Sequence, residues 1–144
     1  MLRWVSILGY LAMIIGLAGL FWTRSLFSPA PAVIVLQVLS VFLATWARIT
    51  FGRRSFHVMA NPTAGGLVTT GPYRFIRHPI YTAICLAVIP GALANWSVQA
   101  EISAAVTVGA VLIRIACEEK LVVQRYPEYR QYAARTWRMV PFIF

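Results

Sequence analysis

The sequence predicts an all-α fold, an integral membrane helical bundle of about four transmembrane helices followed by a cytoplasmic C-terminal helix. Three observations lead there. Of 144 residues, 60% are hydrophobic and 12% charged, where a soluble domain of this length carries about a quarter charged residues. The apolar residues fall in long runs free of charge. The arginines gather where those runs end. A chain of this length and pattern reads as a single domain over residues 1–144. Residues 1–50 supply two N-terminal spans, and residues 51–144 carry the polar motifs, two further spans and the terminal helix.

Residues 5–22 carry no charge and are long enough to cross a hydrocarbon core of about 30 Å. The start, Met1-Leu2-Arg3-Trp4, imitates a secretory signal. No small-x-small cleavage pattern precedes Thr23-Arg24, so the run is expected to remain as the first span. Ser28-Pro29-Ala30-Pro31 marks a turn, and the second helix is expected over 32–49. The third run, 79–100, contains Pro90-Gly91, read as a kink, and Asn95-Trp96-Ser97, read as the interfacial turn that ends it. The fourth span, 102–117, is apolar apart from Arg114. Beyond it, Pro127 suits the first turn of a new helix. Tyr129, Tyr132, Ala133 and Trp137 then share one side, and Glu128, Arg130, Gln131 and Arg135 lie around the other. That pattern fits a membrane-surface helix or a lid, ended by Pro141.

The net charge of +9, from 13 Lys and Arg against 4 acids, does not indicate nucleic acid, because the arginines flank apolar segments. It indicates topology and contact with anionic headgroups. Arg53, Arg54, Arg74 and Arg77 lie between spans two and three, and Lys120, Arg125, Arg130, Arg135 and Arg138 lie in the tail. The bias places the middle segment, the tail and both termini on the cytoplasmic side. Cys85 and Cys117 sit in apolar runs outside any CxxC pair, and His57 and His78 are the two histidines. Neither a disulfide scaffold nor a metal centre is expected.

Two polar clusters stand against apolar runs, where an ionisable group is costly and marks a site. One is Gly71-Pro72-Tyr73-Arg74-Phe75-Ile76-Arg77-His78-Pro79-Ile80-Tyr81. His78 precedes the proline that opens span three, and a helix N-terminus with an imidazole and a phenol suits an anionic group. The plainer account is an interfacial belt of aromatics and arginines. The other cluster is Arg114 with Glu118 and Glu119. Arg114 and Glu118, four apart, share one helix face, while Glu119 points roughly 100° away. A snorkelling arginine with its carboxylate is the plainer account here. Both clusters fall at the cytoplasmic end, where a charged cosubstrate arrives from water and a hydrophobic partner from lipid.

These motifs resemble the isoprenylcysteine carboxyl methyltransferase and phospholipid methyltransferase family of membrane enzymes. The resemblance runs through Leu67-Val68-Thr69-Thr70-Gly71-Pro72-Tyr73 and Arg77-His78-Pro79-Ile80-Tyr81. It continues in Arg114, Glu118-Glu119, Tyr126-Pro127-Glu128-Tyr129, Tyr132 and Pro141-Phe142. It covers about residues 51–144. It implies S-adenosyl-L-methionine as methyl donor, with S-adenosyl-L-homocysteine as product. It also implies His78, Pro79, Ile80 and Tyr81 as a donor-binding motif, with Tyr73, Gly65, Gly66, Leu67 and Val68 completing the pocket. Glu118 is the implied donor-contacting acid, with Glu119 beside it, and Arg114 the implied residue facing the acceptor. Gly65-Gly66 lacks the polar side chains often found there, Tyr126-Pro127 stands for the more usual Phe-Gly, and the chain is shorter than the eukaryotic carboxyl methyltransferases.

The expected function is S-adenosylmethionine-dependent methyl transfer to a hydrophobic, membrane-partitioned acceptor, with the lipid bilayer as surroundings. Arg114 tilts the acceptor toward a carboxylate. A phospholipid or other lipid amine is the alternative within the enzyme class, and a reductase similar to membrane sterol reductases is a remoter one. A small non-enzymatic bundle or transporter subunit is the alternative outside it. Spans one to three lack the interior carboxylate that proton-coupled transport generally needs.

Overall fold

The computed structural model describes residues 2–52 and 66–144. Among them the chain forms five α-helices. They are α1 (Leu2–Trp22), α2 (Pro31–Phe51), α3 (Pro79–Ala94), α4 (Val98–Arg125) and α5 (Tyr129–Ala133), with a 3₁₀ turn at Gly71–Arg74 before α3. The all-α membrane bundle is therefore the observed class. Three helices, α1, α2 and α4, are long and apolar enough to cross a membrane, while α3 is an apolar helix of 16 residues.

Helix α1 runs antiparallel to α4, and α2 antiparallel to α3. In the first pair the backbones approach closely at Gly16, where an added Cβ would stand 2.7 Å from the Ser103 carbonyl oxygen. Small residues at such contacts let membrane helices pack without a water-driven hydrophobic force. In the second pair the Ser40 hydroxyl donates to the Ala83 carbonyl at 2.7 Å. The Gln37 amide donates to the carbonyls of Leu26 at 2.6 Å and Ala87 at 3.2 Å. Interhelical bonds of this kind contribute about 0.6 kcal/mol each. Leu20, Val88, Ala92, Ala100 and Ala104 pack together toward one end of the bundle, and Met13, Ala110, Val111, Ile115 and Met139 toward the other. The antiparallel pairing gathers the start of α1, the end of α2, the start of α3 and the end of α4 at that second end.

Several boundaries differ from the sequence reading. The third helix ends at Ala94, not at residue 100, because Ser97 caps the next helix: its Oγ accepts from the Ala100 amide at 3.1 Å. Residues 98–100 therefore belong to α4. That helix also continues past Cys117 through both acids to Arg125, as Glu, Lys and Leu are good helix formers and no breaker precedes Pro127. Gly91 serves a close approach: an added Cβ would lie 2.8 Å from the Leu26 carbonyl carbon in the α1–α2 loop.

The tail departs furthest. Helix α5 holds five residues and stops at Ala133, well before Pro141. The chain then runs beside residues 75–78, with a parallel bridge between Ile76 and Trp137. The Arg77 amide donates to the Trp137 carbonyl at 2.8 Å, the His78 amide to the Arg138 carbonyl at 2.9 Å, and the Trp137 amide to the Phe75 carbonyl at 3.1 Å. These backbone groups offered the tail more than a longer amphipathic helix would. Trp137 therefore leaves the helical face expected for it.

Candidate active site

The 3₁₀ turn and the start of α3 carry the first cluster, and the last turns of α4 carry the second. Pro72 and Pro79 open their elements at positions that need no backbone donor. His78 is the residue preceding α3, and its non-helical φ of −125° and ψ of 56° separate that helix from the previous turn. Tyr81 and Glu118 then meet across the α3–α4 contact, and the Tyr81 hydroxyl donates to Glu118 Oε1. Arg114 lies behind them. Its Nε donates to the Tyr81 oxygen at 2.7 Å, its Nη2 to Glu118 Oε1 at 3.0 Å and its Nη1 to the Ser6 carbonyl of α1 at 3.1 Å. Its guanidinium also lies 5.1 Å from the Tyr10 ring centroid. Arg114 is 3% exposed, so its charge is offset by hydrogen bonds from each of its three nitrogens and not by solvent.

His78 stands between the two acids. Its Nδ1 is 3.9 Å from Glu118 Oε2 and its Nε2 3.4 Å from Glu119 Oε1. Its ring lies 5.8 Å from that of Tyr81. The acids face different partners. Glu119 receives Arg77 Nε at 2.9 Å, Arg138 Nε at 3.0 Å and the Tyr129 hydroxyl at 3.3 Å. Glu118 directs Oε1 to Tyr81 and Arg114, while Oε2 is beyond hydrogen-bond reach of His78 and the side chain stays 24% exposed. An acceptor oxygen thus remains at the rim of the cluster.

The other expected pocket residues are placed less closely. Gly65 lies outside the described residues. Gly66, at φ +82°, is exposed, and Leu67 and Val68 are half-buried without hydrogen bonds to the cluster. Tyr73 is buried against Phe51, ring centroids 5.4 Å apart, with its carbonyl accepting from the Tyr132 hydroxyl at 2.7 Å. Burial raises the Tyr73 and Tyr129 phenols above the ordinary range and pushes Tyr132 up to about 12. Pro79 is buried and Ile80 half-buried in the first turn of α3. Sequence reasoning gave no part to Ser6 and Tyr10 of α1 or to Arg138, while Arg77 and Tyr129 stood in the motifs that carry the resemblance without a contact assigned to them.

The geometry brings four chemistry-bearing side chains, His78, Tyr81, Arg114 and Glu118, to one end of the bundle. Among the described residues no group of three or more His, Cys, Asp or Glu is arranged to hold a metal ion. Two curated relatives are similar over most of this chain. One is the cobalt-zinc-cadmium resistance protein CzcN of Cupriavidus metallidurans, 29% identical over 119 residues, 78% of this chain and 50% of that protein. The other is the nickel-cobalt-cadmium resistance protein NccN of Alcaligenes xylosoxydans xylosoxydans, 30% identical over 116 residues, 76% of this chain and 50% of that protein. The chain spans about half the length of these curated relatives. No solved structure gives a significant match. The model of the phospholipid methyltransferase family matches residues 32–129, from α2 through both polar clusters to the first residue of α5. On that match over more than half its length, the chain belongs to the phospholipid methyltransferase family, a group of integral membrane proteins.

Proposed function

We propose that the chain transfers a methyl group from S-adenosylmethionine to a hydrophobic acceptor that partitions into the membrane. The observation that carries the reading is the meeting of His78, Tyr81 and Glu118 at the polar end of an otherwise apolar bundle. The donor set suits the proposed cosubstrate. Glu118 is 24% exposed and its Oε2 lies beyond hydrogen-bond reach of His78, and a carboxylate oxygen of this kind takes hydroxyl or ammonium donors. When bound, S-adenosylmethionine supplies an electrophilic methyl group on a cationic sulfonium. Tyr81 and Arg114 hold Glu118 in one orientation, so the carboxylate does not reorganise on binding. His78 closes the side between the two acids.

Transfer to an anion needs alignment more than proton movement. The apolar walls of the bundle keep water from stabilising separated charges, which favours such a reaction at a membrane edge. A carboxylate acceptor is the first reading, since it needs no base. A lipid amine is the second. It is favoured by the commitment of all three Arg114 nitrogens to Ser6, Tyr81 and Glu118, which leaves the guanidinium little capacity for an incoming anion. The basic residues of the middle segment and tail support placing this end, and both termini, on the cytosolic side.

The test is incubation of the full chain in lipid nanodiscs with methyl-labelled S-adenosylmethionine and membrane extract, followed by identification of the labelled species. A base-labile methyl ester supports the carboxylate reading, and a base-stable methylamine the lipid amine. Absence of both label transfer and saturable S-adenosylhomocysteine binding overturns the proposal.

A further inference from the structure

Arg77 does something that an interfacial anchor does not. It lies at the head of an apolar helix, beside aromatics, where an arginine ordinarily reaches for headgroups. Here its side chain is 9% exposed and turned inward. Nε donates to Glu119 Oε1 at 2.9 Å, and Nη1 donates to the Ala133 carbonyl at 2.9 Å and to the Thr136 carbonyl. One guanidinium therefore binds the end of α4 to the segment that follows α5.

Glu119 is the matching hub. Its two oxygens receive Arg77, Arg138 and Tyr129, and His78 Nε2 faces it at 3.4 Å. These groups come from the loop before α3, from α5 and from the tail. The backbone ladder between residues 75–78 and 137–138 runs alongside. Further on, the Thr82 hydroxyl donates to the Met139 carbonyl at 2.9 Å, and Met139 is buried in the core. His78 is held three ways by this assembly: by its amide on Arg138, by its ring on Glu119, and by the chain link to Arg77. Both oxygens of Glu119 are thus engaged by its own chain, whereas Glu118 Oε2 has His78 Nδ1 at 3.9 Å, beyond hydrogen-bond reach.

We propose that Arg77 is a positioning residue: it clasps residues 133–138 to Glu119, and the clasp sets the His78 ring against Glu118, so that docking of the tail and occupation of the donor site are coupled. The inference rests on the methyl-transfer reading above. Coupling of two equilibria is reciprocal. A ligand that prefers the ordered site must therefore tighten the tail, and loosening the tail must weaken that ligand.

The experiment uses the full chain in nanodiscs with S-adenosylhomocysteine as probe. Affinity is measured by calorimetry, and hydrogen exchange is followed at the amides of Arg77, His78 and Trp137. In the wild type, saturating probe slows exchange at these amides. Arg77→Met lowers probe affinity by about tenfold, within the usual range of coupling between sites, and abolishes the ligand-dependent slowing. Arg77→Lys restores part of both, because an ammonium reaches Glu119 but cannot fork onto the carbonyls as well. Tyr132→Phe loosens the same segment from its contact with the Tyr73 carbonyl. It therefore tests the coupling if Arg77→Met fails to fold, and it should speed exchange at these amides and weaken the probe. A folded Arg77→Met variant that binds within twofold of wild type overturns the inference, as does Tyr132→Phe binding the probe like wild type while its tail exchanges faster. So does a wild type whose three amides ignore the bound probe. A wild type that does not bind the probe removes the methyl-transfer reading itself, a distinguishable failure.

Discussion

Arg114 donates through Nε to the Tyr81 hydroxyl at 2.7 Å, tying the end of α4 to the start of α3 inside the bundle. The phenol passes the connection on to Glu118, which Arg114 also meets directly. Three residues therefore form a closed ring of donors and acceptors, and none of them can be altered without stranding another.

Tyr81→Phe keeps the ring and deletes the oxygen. Arg114 Nε then loses its acceptor in a buried site, and Glu118 loses a donor. A stranded buried donor costs about 1–3 kcal/mol. The variant should unfold earlier in thermal scans in detergent and bind S-adenosylhomocysteine more weakly. Stability and affinity both equal to wild type would show that the ring is not formed.

Arg114→Ala and Glu118→Gln should be non-additive. Removing one member of a fully buried ion pair costs about 3–5 kcal/mol because the partner's charge is left uncompensated, and the cost here is smaller because Glu118 is 24% exposed. With Arg114 gone, the further loss of the Glu118 charge should cost less than it does alone. Coupling energies in contacting groups run to about 0.5–3 kcal/mol, so a double-mutant cycle on thermal stability resolves the effect. Effects that sum within error would break the assignment of the pair as one unit.

Much of this arrangement was legible because it rests on side chains with distinctive costs. Charge-free runs announced α1, α2 and the body of α4, and intramembrane placement singled out Arg114. Spacing put Arg114 and Glu118 on one face. Ser97 reads as part of the turn that ends the third helix, and the structure makes it the cap of α4. Other features had no sequence signal. The acceptors of Arg77 in the tail are chiefly backbone carbonyls, and every residue has one. Ser6 likewise meets Arg114 through its carbonyl, a group that every residue carries. Glu118 and Glu119 are chemically identical, and only rotation about α4 gives one to the rim and the other to the tail. The short α5 reflects a competition between helix and backbone pairing with residues 75–78, decided by tertiary contact.

Gly91→Leu tests the packing of α3 on the α1–α2 loop, far from the polar end. Its neighbours are backbone atoms of Leu26 and Ser25, which cannot swing aside as a side chain does. Overpacking of this kind costs about 1–3 kcal/mol. The variant should lose thermal stability while its folded fraction binds S-adenosylhomocysteine like wild type. Weaker binding by the folded fraction would mean that the two ends of the bundle are coupled, against the account of the fold given above.

Alkaline titration tests the tail from the phenol side. Tyr132 ionises at about 12 in the folded chain against 10.0 when free, because burial disfavours the phenolate. The folded state then holds its proton when the unfolded chain has released it, so between these values stability falls as pH rises. Below 10 the contribution is complete. Tyr129 and Tyr73 are raised in the same sense, also by burial, and add to the slope. Phenolate absorbance should therefore appear late in the folded protein, together with faster exchange of the amides at residues 77 and 78. Tyr132→Phe should remove one late-titrating phenol from the absorbance curve and make the alkaline loss of stability shallower. An unchanged absorbance curve in that variant would contradict the burial of Tyr132 against the Tyr73 carbonyl.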